Sequence, residues 1–509
     1  MSGTDQEKLN KARRAAERGE AWGQFNLGLA YYYGQGIPED FSTAAHWFTL
    51  AAEQEDRDAQ FYLAFLYSHG QGVPRNDQEA VRWFRHSAEH GHPEAQYHLA
   101  SFYLRGRGAA KDELDALKWF RRSAEQGFSA AQYQLAVLYQ SGIGPPRERT
   151  EALRWFQQAA RLGHAEAACR LGEMSSEGQG VVKNLSEAFS WFQQAATAGH
   201  SRAQLRLGVL YLFGQGTTKD PVTAIRWLEA SAKQNNAEAA HRLGLVYLNG
   251  EGILEDLLLG IRWLQTATEL GYAPAQYEMG VLYSEGKKVR QDDAAAFRWF
   301  QLAAEQGLAT AQYELGVQLL IGRGSSRDSS AALRWLHQAA TQGVAGAQYE
   351  MGCLYHHGNG VTQDVREAEE WYRQAATAGF TEAQYVLGVF FARGEGGSVD
   401  SARALNWLSK AANVGHANAQ YELAMLLLQN PSSENDDREA VRLLHQAGDQ
   451  KHAPAEYRLS LMYLAGRGVF QSNVECDRWI RRSAEHGDLR AQELLRLIQQ
   501  EGWFGPPAK

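Results

Sequence analysis

The sequence predicts an all-α fold, a solenoid of about thirteen 36-residue helix–turn–helix repeats. One observation behind this prediction is a tryptophan at Trp47, Trp83, Trp119, Trp155, Trp191, Trp227, Trp263, Trp299, Trp335, Trp371, Trp407 and Trp479. Successive tryptophans are 36 residues apart, except in the last interval, where Leu443 takes the intervening position. The other observation is that each interval holds two helical segments around a Gly-x-Gly turn. A fixed period of this length is typical of stacked repeat proteins.

The bulk composition is that of a folded chain. Of its 509 residues, 44% are hydrophobic and 22% are charged, as in ordinary globular proteins. A single solenoid can exceed the usual domain size, because each repeat contacts mainly its neighbours. The net charge of −8 disfavours a nucleic-acid partner, since such proteins usually present a basic face.

The cysteines and the first residues bear on the compartment. Cys169, Cys353 and Cys476 are far apart and form no C-x-x-C pair, which suits reduced thiols in a cytosolic protein. Residues 1–20 contain no apolar signal-peptide core, and the chain has no apolar run of about 18 residues. We therefore predict a cytoplasmic protein without a membrane span. A periplasmic chain that has lost its signal peptide would give the same pattern.

The repeats divide the chain into three parts. Residues 1–19 are predicted to be an N-terminal capping half-repeat, because Lys11 takes the tryptophan position and a terminal unit needs a polar outer face. Residues 20–487 hold thirteen units in one continuous solenoid. These units begin near residues 20, 56, 92, 128, 164, 200, 236, 272, 308, 344, 380, 416 and 452. Residues 488–509 are predicted to form a C-terminal capping helix followed by a tail that includes Trp503 and Phe504.

The first helix of a repeat is predicted from its helical periodicity. In the third unit, Ala95, Leu99 and Tyr103 recur at the spacing of one buried helix face. Gly106 and Gly108 are then expected to end the helix, because glycine adopts left-handed backbone conformations without steric cost.

The second helix has a recognisable start. Asp112 is placed to cap its first turn. Equivalent residues in other units are Asp40, Asn76, Asn184, Asp220, Asp292 and Asp364. Asn184 with Glu187, and Asp364 with Glu367, have the spacing of capping boxes, in which the glutamate also bonds back to the cap.

The same motif identifies a family. The second helix carries Trp119 and Phe120 inward and ends at Gly127. The combined pattern, A-x-A-Q-Y-x-L-G-x-L-Y-x-x-G-x-G-V followed by A-x-x-W-F-x-x-A-A-x-x-G, resembles the SEL-one-like repeat family, which is related to the tetratricopeptide repeats. The resemblance implies a right-handed α/α superhelix that serves as a non-enzymatic scaffold or adaptor for protein partners. Some secreted members carry a disulfide in each repeat, and the cysteines for that arrangement are lacking here.

Catalytic and metal chemistry find little support. His86, His90 and His92, with His98 nearby, come closest to a metal-ligand spacing. A glycine and a proline interrupt the helix around them, and no cysteine or matched carboxylate completes the set. No strand precedes the Gly-x-Gly pairs, so they are turns rather than phosphate loops. We predict no catalytic residue, no metal and no cofactor.

Specificity is expected at the positions that vary between repeats. Two such positions, seven residues apart, share one face of the first helix, which usually lines the concave side of a helical solenoid. The first position reads Asn26, Tyr62, His98, Gln134, Arg170, Arg206, Arg242, Glu278, Glu314, Glu350, Val386, Glu422 and Arg458. The second reads Tyr33, His69, Arg105, Ser141, Glu177, Phe213, Asn249, Glu285, Ile321, His357, Arg393, Gln429 and Ala465. The predicted partner-binding residues are Tyr62, His98, Arg105, Arg170, Arg206, Phe213, Arg242, Glu278, Glu314, Glu350, His357 and Glu422.

The first position is segregated by charge. Its three arginines are followed mostly by glutamates. Glu166 and Glu238 precede Arg170 and Arg242 by four residues and are expected to pair with them. No cation stands four residues before the glutamates. The sequence therefore predicts an acidic C-terminal half that recruits a basic segment of a protein partner.

Other functions remain open at this stage. A bacterial immunity-type inhibitor or a chaperone of a secreted effector would use the same fold. A helical repeat that tracks RNA is disfavoured by the acidic positions.

Two units depart from the pattern. In the fifth, Cys169 and Ser175 replace tyrosines, which predicts either a cavity or a local rearrangement. In the twelfth, residues 430–432 replace the Gly-x-Gly turn, Leu443 replaces the tryptophan and Lys451 replaces the closing glycine. This unit is interpreted as a hinge, a partner site or the drift of a near-terminal repeat.

Overall fold

The computed structural model describes residues 3–143, 151–429 and 434–501. Within these ranges the secondary structure is helical and no strand occurs. Trp503 and Phe504 of the predicted tail, and the irregular turn at residues 430–432, lie outside the described residues. The prediction of an all-α repeat fold is confirmed.

The chain divides into two compact units, Met1–Thr266 and Ala267–Lys509. The helices that begin in the first unit are α1 (Gly3–Glu17), α2 (Ala21–Tyr33), α3 (Phe41–Ala52), α4 (Arg57–His69), α5 (Asp77–Glu89), α6 (Pro93–Arg105), α7 (Glu113–Glu125), α8 (Ser129–Ser141), α9 (Ala152–Arg161), α10 (Ala165–Glu177), α11 (Leu185–Thr197), α12 (Ser201–Phe213), α13 (Pro221–Ala232), α14 (Ala237–Asn249) and α15 (Leu257–Glu269).

The second unit continues the same alternation of first and second helices. Its helices are α16 (Ala273–Glu285), α17 (Asp293–Glu305), α18 (Ala309–Ile321), α19 (Ser329–Thr341), α20 (Ala345–His357), α21 (Val365–Thr377), α22 (Thr381–Arg393), α23 (Ser401–Asn413), α24 (Ala417–Gln429), α25 (Glu434–Asp449), α26 (Ala453–Ala465), α27 (Asn473–Glu485) and α28 (Leu489–Glu501). The even-numbered helices from α2 to α26 are the first helices of the thirteen repeats. Within each unit a first helix packs along the second helix that follows it, as α6 does with α7 and α20 with α21.

The second helices begin at the predicted caps. The Asp112 carboxylate accepts hydrogen bonds from the backbone N–H groups of Leu114 and Asp115. The side chains at the equivalent positions also accept hydrogen bonds from backbone N–H groups of the first turn: Asp40, Asn76, Asn184, Asp220, Asp292 and Asp364. The other hydrogen bond of the predicted capping boxes, from the backbone N–H of the cap to the glutamate, is wrong. The N–H of Asn184 donates to the Ser175 carbonyl instead, and the Glu187 carboxylate accepts from the Trp191 indole.

The Gly-x-Gly turns connect neighbouring repeats as well as ending a helix. Gly106 and Gly108 have φ values of +66° and +68°. A Cβ atom at Gly108 would lie 2.1 Å from the Asp77 carbonyl oxygen of the preceding repeat, so this approach requires glycine. Between them, Arg107 donates to the Asp77 carboxylate at 2.7 Å and to the Ser68 carbonyl at 2.6 Å. Gly72, Gly216, Gly324 and Gly468 approach the preceding repeat in the same way, so these turns rest on the repeat before them.

A buried glutamine joins the helices of adjacent repeats. The Gln96 amide on α6 donates to the Ala88 carbonyl, 3.0 Å away at the end of α5, and its oxygen accepts from the Gln126 amide at 2.7 Å. The first of these bonds is repeated by Gln60, Gln132, Gln204, Gln312, Gln348, Gln384 and Gln420. The second is repeated from Gln54 to Gln24, Gln234 to Gln204, Gln306 to Gln276, Gln342 to Gln312 and Gln450 to Gln420. We call this arrangement the glutamine ladder.

The last repeat replaces this glutamine with a charged residue. The Glu456 side chain is fully buried, and its carboxylate lies 3.1 Å from Arg482 Nη2 and 2.7 Å from His486 Nδ1. His486 stands where Gln126 stands in the third repeat. Two partners compensate the buried carboxylate, as a charge in this environment requires.

In the fifth repeat, a cysteine and a serine take the places of two tyrosines. Cys169 and Ser175 are both buried. Arg202, from the next first helix, lies with its Nε atom 3.1 Å from Glu173 Oε1, and its charge acts on the Cys169 thiol. In the twelfth repeat Leu443 is buried, and Lys451 takes a left-handed φ of +63°, as the closing glycine does elsewhere.

We expect Gln96→Leu to lower the free energy of unfolding by about 1–3 kcal/mol, because it leaves two buried polar groups without partners. Urea denaturation measures the change. Gln78→Leu is the control, since Gln78 is exposed and its side chain makes no hydrogen bond within the described ranges; it should change stability by less than about 0.5 kcal/mol. Equal effects of the two substitutions would contradict a structural role for the glutamine ladder.

Candidate partner-binding surface

In each unit the two variable positions lie on an exposed strip of the first helices. Every residue at the second position, from Tyr33 to Ala465, is exposed. At the first position Asn26 and Arg206 are exposed, and the others are half-buried. We call this strip the first-helix face of that unit.

In the first repeats the face is aromatic. The Tyr62 ring packs against Phe25, Tyr32 and Phe48, and its hydroxyl lies 3.0 Å from that of Tyr33. This cluster includes both variable positions, since Tyr33 is half exposed. A partner would therefore meet an aromatic patch at this end of the first unit.

His98 also belongs to an aromatic cluster. Its ring stacks on Phe84 with centroids 5.3 Å apart, and it touches Phe61, Phe65 and Tyr97. Burial lowers the pKa of His98 to about 4, so the imidazole is neutral at pH 7. His98 thus contributes packing to the face rather than charge.

The other histidines near His98 have structural partners. The Nδ1 atom of His92 accepts from the Ala95 N–H and so caps α6, while its Nε2 lies 3.4 Å from Asp58 of the preceding repeat. His90 Nδ1 lies 3.2 Å from Gln60 Oε1. Among the described residues, no group of three or more histidine, cysteine or acidic side chains is arranged to hold a metal.

The arginines of the first unit are paired differently from the prediction. Arg170 lies 3.1 Å from Glu173, not next to Glu166. The Glu166 carboxylate is instead 2.6 Å from His200 and 3.0 Å from Arg202 of the next repeat. The prediction of a Glu166–Arg170 pair is wrong because partners one repeat away compete for the same carboxylate.

The predicted Glu238–Arg242 pair is also wrong. The Arg242 guanidinium lies over the Phe213 ring, 5.9 Å from its centroid. Phe213 is half exposed, so the two residues form a cationic and aromatic patch. Arg105 and Arg206 are exposed and have no ion pair within the described ranges.

In the second unit, the histidine pair His356 and His357 belongs to no group of metal ligands among the described residues. His357 donates through Nδ1 to the Cys353 carbonyl at 2.9 Å and stacks on His356, with centroids 5.0 Å apart. His356 Nε2 in turn lies 3.2 Å from Glu395. His357 remains exposed on the first-helix face.

Four glutamates of the second unit share one feature. Glu278, Glu314, Glu350 and Glu422 occupy the first variable position on α16, α18, α20 and α24, and we call them the acidic row. All four are half-buried, and none has a hydrogen bond or an ion pair within the part of the chain that the structure describes.

Burial raises the pKa of all four carboxyls. For Glu278 the charge of Glu285 adds to the rise, whereas Arg323 and Arg393 partly oppose it for Glu314 and Glu422. The acidic row therefore consists of carboxylates that the fold partly desolvates and does not pair.

Tyrosines alternate with these glutamates. The pKa of Tyr277 is raised by burial and then by the charges of Glu314 and Glu278, and the pKa of Tyr313 is raised by burial and then by those of Glu350 and Glu314. Each of these two phenols therefore lies near the carboxylate of its own repeat and that of the next repeat. This alternation was not predicted, although its signal, the repeated Tyr-Glu dipeptide, is present in the sequence.

The structure and its repeats define an α/α solenoid built from helical hairpins. The Sel1 repeat profile matches the chain thirteen times in succession between residues 23 and 488, so the chain belongs to the Sel1 repeat family. No curated protein matches the chain. None of the helices in the described ranges is long and apolar enough to cross a membrane.

Two solved structures support the family assignment. One is c5321, a protective antigen present in uropathogenic Escherichia coli strains, with 32% identity, coverage of 89% of this chain and 96% of that protein, and a TM-score of 0.70. Another is a Sel1 repeat protein from Oxalobacter formigenes, with 31% identity, coverage of 61% and 90%, and a TM-score of 0.51. The immunity protein Pa5087 from Pseudomonas aeruginosa is 20% identical with a TM-score of 0.28, which is too low to carry an argument.

We expect Glu350→Gln to raise the free energy of unfolding at neutral pH. Burial raises the pKa of this carboxyl in the folded protein only, so its ionisation opposes folding above that pKa. Below the ordinary glutamate pKa of about 4.3, both states are protonated and the gain should disappear. Urea denaturation at neutral pH and at a pH below that value measures the difference.

Glu305→Gln is the matched control for this measurement, because Glu305 is exposed near the end of α17. It should show no comparable gain. A gain for Glu350→Gln that is equally large in acid would mean that burial of the charge is not its cause.

Proposed function

We propose that this protein is a non-enzymatic scaffold that binds a protein partner through the first-helix face. We further propose that the acidic row of the second unit recruits a basic segment of that partner. The observation that carries the proposal is the half-buried and unpaired state of Glu278, Glu314, Glu350 and Glu422.

The physical argument concerns the cost of an unpaired charge. Partial burial disfavours an ionised carboxylate unless a cation or hydrogen-bond donor compensates it. Lysine or arginine side chains of a partner would supply that compensation, and the lower local dielectric strengthens each pair relative to water. Equivalent helices are roughly 10 Å apart, close to the Debye length at physiological salt, so the row acts as a field only collectively.

The same surface disfavours RNA. Phosphate groups would be repelled by the acidic row, and nucleic-acid binding normally requires a basic face. An adaptor, a chaperone of a secreted effector and an immunity-type inhibitor would all use protein contacts of the proposed kind. The chemistry of the bound segment is therefore the first property to test.

We expect the double substitution Glu314→Lys, Glu350→Lys to weaken binding of a fluorescent oligolysine peptide by at least about tenfold, because two attractive contacts become repulsive. Fluorescence anisotropy with the full chain at low and physiological salt measures this, and wild-type affinity should fall as salt rises. Circular dichroism establishes that the variant is folded.

The control is Glu305→Lys with Glu485→Lys, which makes the same change in net charge at exposed positions of second helices. It should retain most of the affinity. Equal losses in the two double variants would show that net charge alone governs binding, and binding of an oligouridine probe in place of oligolysine would favour the RNA alternative.

A further inference from the structure

The acidic row and its tyrosines suggest which conformation the partner segment adopts. We propose that they bind a polyproline II segment of a protein partner that carries lysine or arginine at every third residue. This inference rests on the proposed function, because it specifies the partner of the same surface.

The repeat spacing selects the conformation. Successive carboxylates of the acidic row come from equivalent helices, and such packed helices lie about 10 Å apart; α22 and α24, for example, touch directly. A polyproline II helix has three residues per turn and rises about 3.1 Å per residue, so every third side chain returns to the same side after about 9 Å. In a β-strand, alternate residues face opposite sides, and every third side chain would change sides.

The tyrosines provide a second and independent feature. The hydroxyls of Tyr277 and Tyr313 make no hydrogen bond in the ranges that the structure describes, although both rings are half-buried. A polyproline II segment leaves its backbone carbonyls without internal partners, so these hydroxyls can donate to them. Aromatic grooves are the usual receptors of such segments, and a cation can also contact a tyrosine ring.

The ring of Tyr313 is held in position by the next repeat. A Cβ atom at Gly346 on α20 would lie 2.9 Å from Tyr313 Cζ, so the ring packs directly on that helix. The Tyr313 ring, which lies near both Glu314 and Glu350, is therefore fixed before a partner binds, and this reduces the entropy lost on binding.

A buried amide on the same helix also lacks a partner. Gln318 lies one turn after Glu314 on α18, on the same side of the helix. Its side chain is 3% exposed, and its Oε1 atom has no hydrogen-bond partner. Neighbouring repeats have Leu282 and Leu354 at this position. This oxygen is itself buried, so the amide is a polar exception in the core beside the row and not a contact for a bound segment.

The order of residues along the row predicts the order of residues in the partner. Glu278, Glu314 and Glu350 are followed by Val386 and then by Glu422. The preferred segment therefore has three basic residues at three-residue spacing, an apolar residue at the next such position, and a further basic residue. Arg458 at the same position of the last repeat ends the row.

The cations near the row are already engaged. Arg323, whose charge acts on Glu314, lies 2.9 Å from Asp293. Arg393, whose charge acts on Glu422, lies 3.9 Å from Glu395. Neither forms an ion pair with the row, so both leave its carboxylates open to a partner.

The test compares two labelled peptides with the full chain by fluorescence anisotropy. One peptide repeats the triplet Pro-Pro-Lys, and the other has the same composition with its lysines grouped at one end. The triplet peptide should bind about tenfold more tightly. Glu314→Gln should remove this preference, Tyr313→Phe should weaken triplet binding several-fold by deleting a donor, and Glu305→Gln should change neither.

The outcomes separate the two proposals. Equal affinity for the two peptides, with both weakened by Glu314→Gln, would overturn the polyproline II spacing and leave recruitment of basic segments standing. Failure of both peptides to bind the folded wild-type chain at low salt would overturn both.

Discussion

A buried amide supplies hydrogen bonds that recur between stacked repeats, although Ala168 and Ala240 take its place in two of them. First-helix glutamines such as Gln96 donate to the last turn of the preceding second helix, and where a glutamine ends the second helix of the same repeat, they accept from it. A buried amide without these partners would cost more free energy than the bonds contribute when made. The register between adjacent hairpins is therefore specified by hydrogen bonds as well as by the alanine and aromatic packing around them.

The regular part of the fold could be predicted because its causes are local. The spacing of Trp47 to Trp479, the caps such as Asp112 and the glycines such as Gly106 act within a few residues, and the structure confirms them. The ladder could not be derived in this way. Gln96 and Gln126 are thirty residues apart, and only the path of the chain shows that they meet.

The same limit explains the wrong pairings. Glu166 was assigned to Arg170 from a spacing rule for a single helix, whereas in the structure it contacts His200 and Arg202 of the next repeat. The glutamates of the acidic row were predicted to lack a cation on their own helix, and in the described ranges none of them forms an ion pair with a neighbouring repeat, although the charge of Arg393 acts on Glu422. Their half-buried state and their alternation with tyrosines required the structure, because both depend on where neighbouring helices lie.

The glutamine ladder has a consequence for how such a chain can change its length. Every bond of Gln96 is made within its own repeat or with the one before it, so duplicating or deleting a whole repeat leaves no buried amide orphaned. A gene that gains one unit would lengthen the first-helix face by one step and, on the proposed function, extend the partner motif by one repeat. Recombination between repeats would then change specificity in steps of one repeat while the interior stays the same.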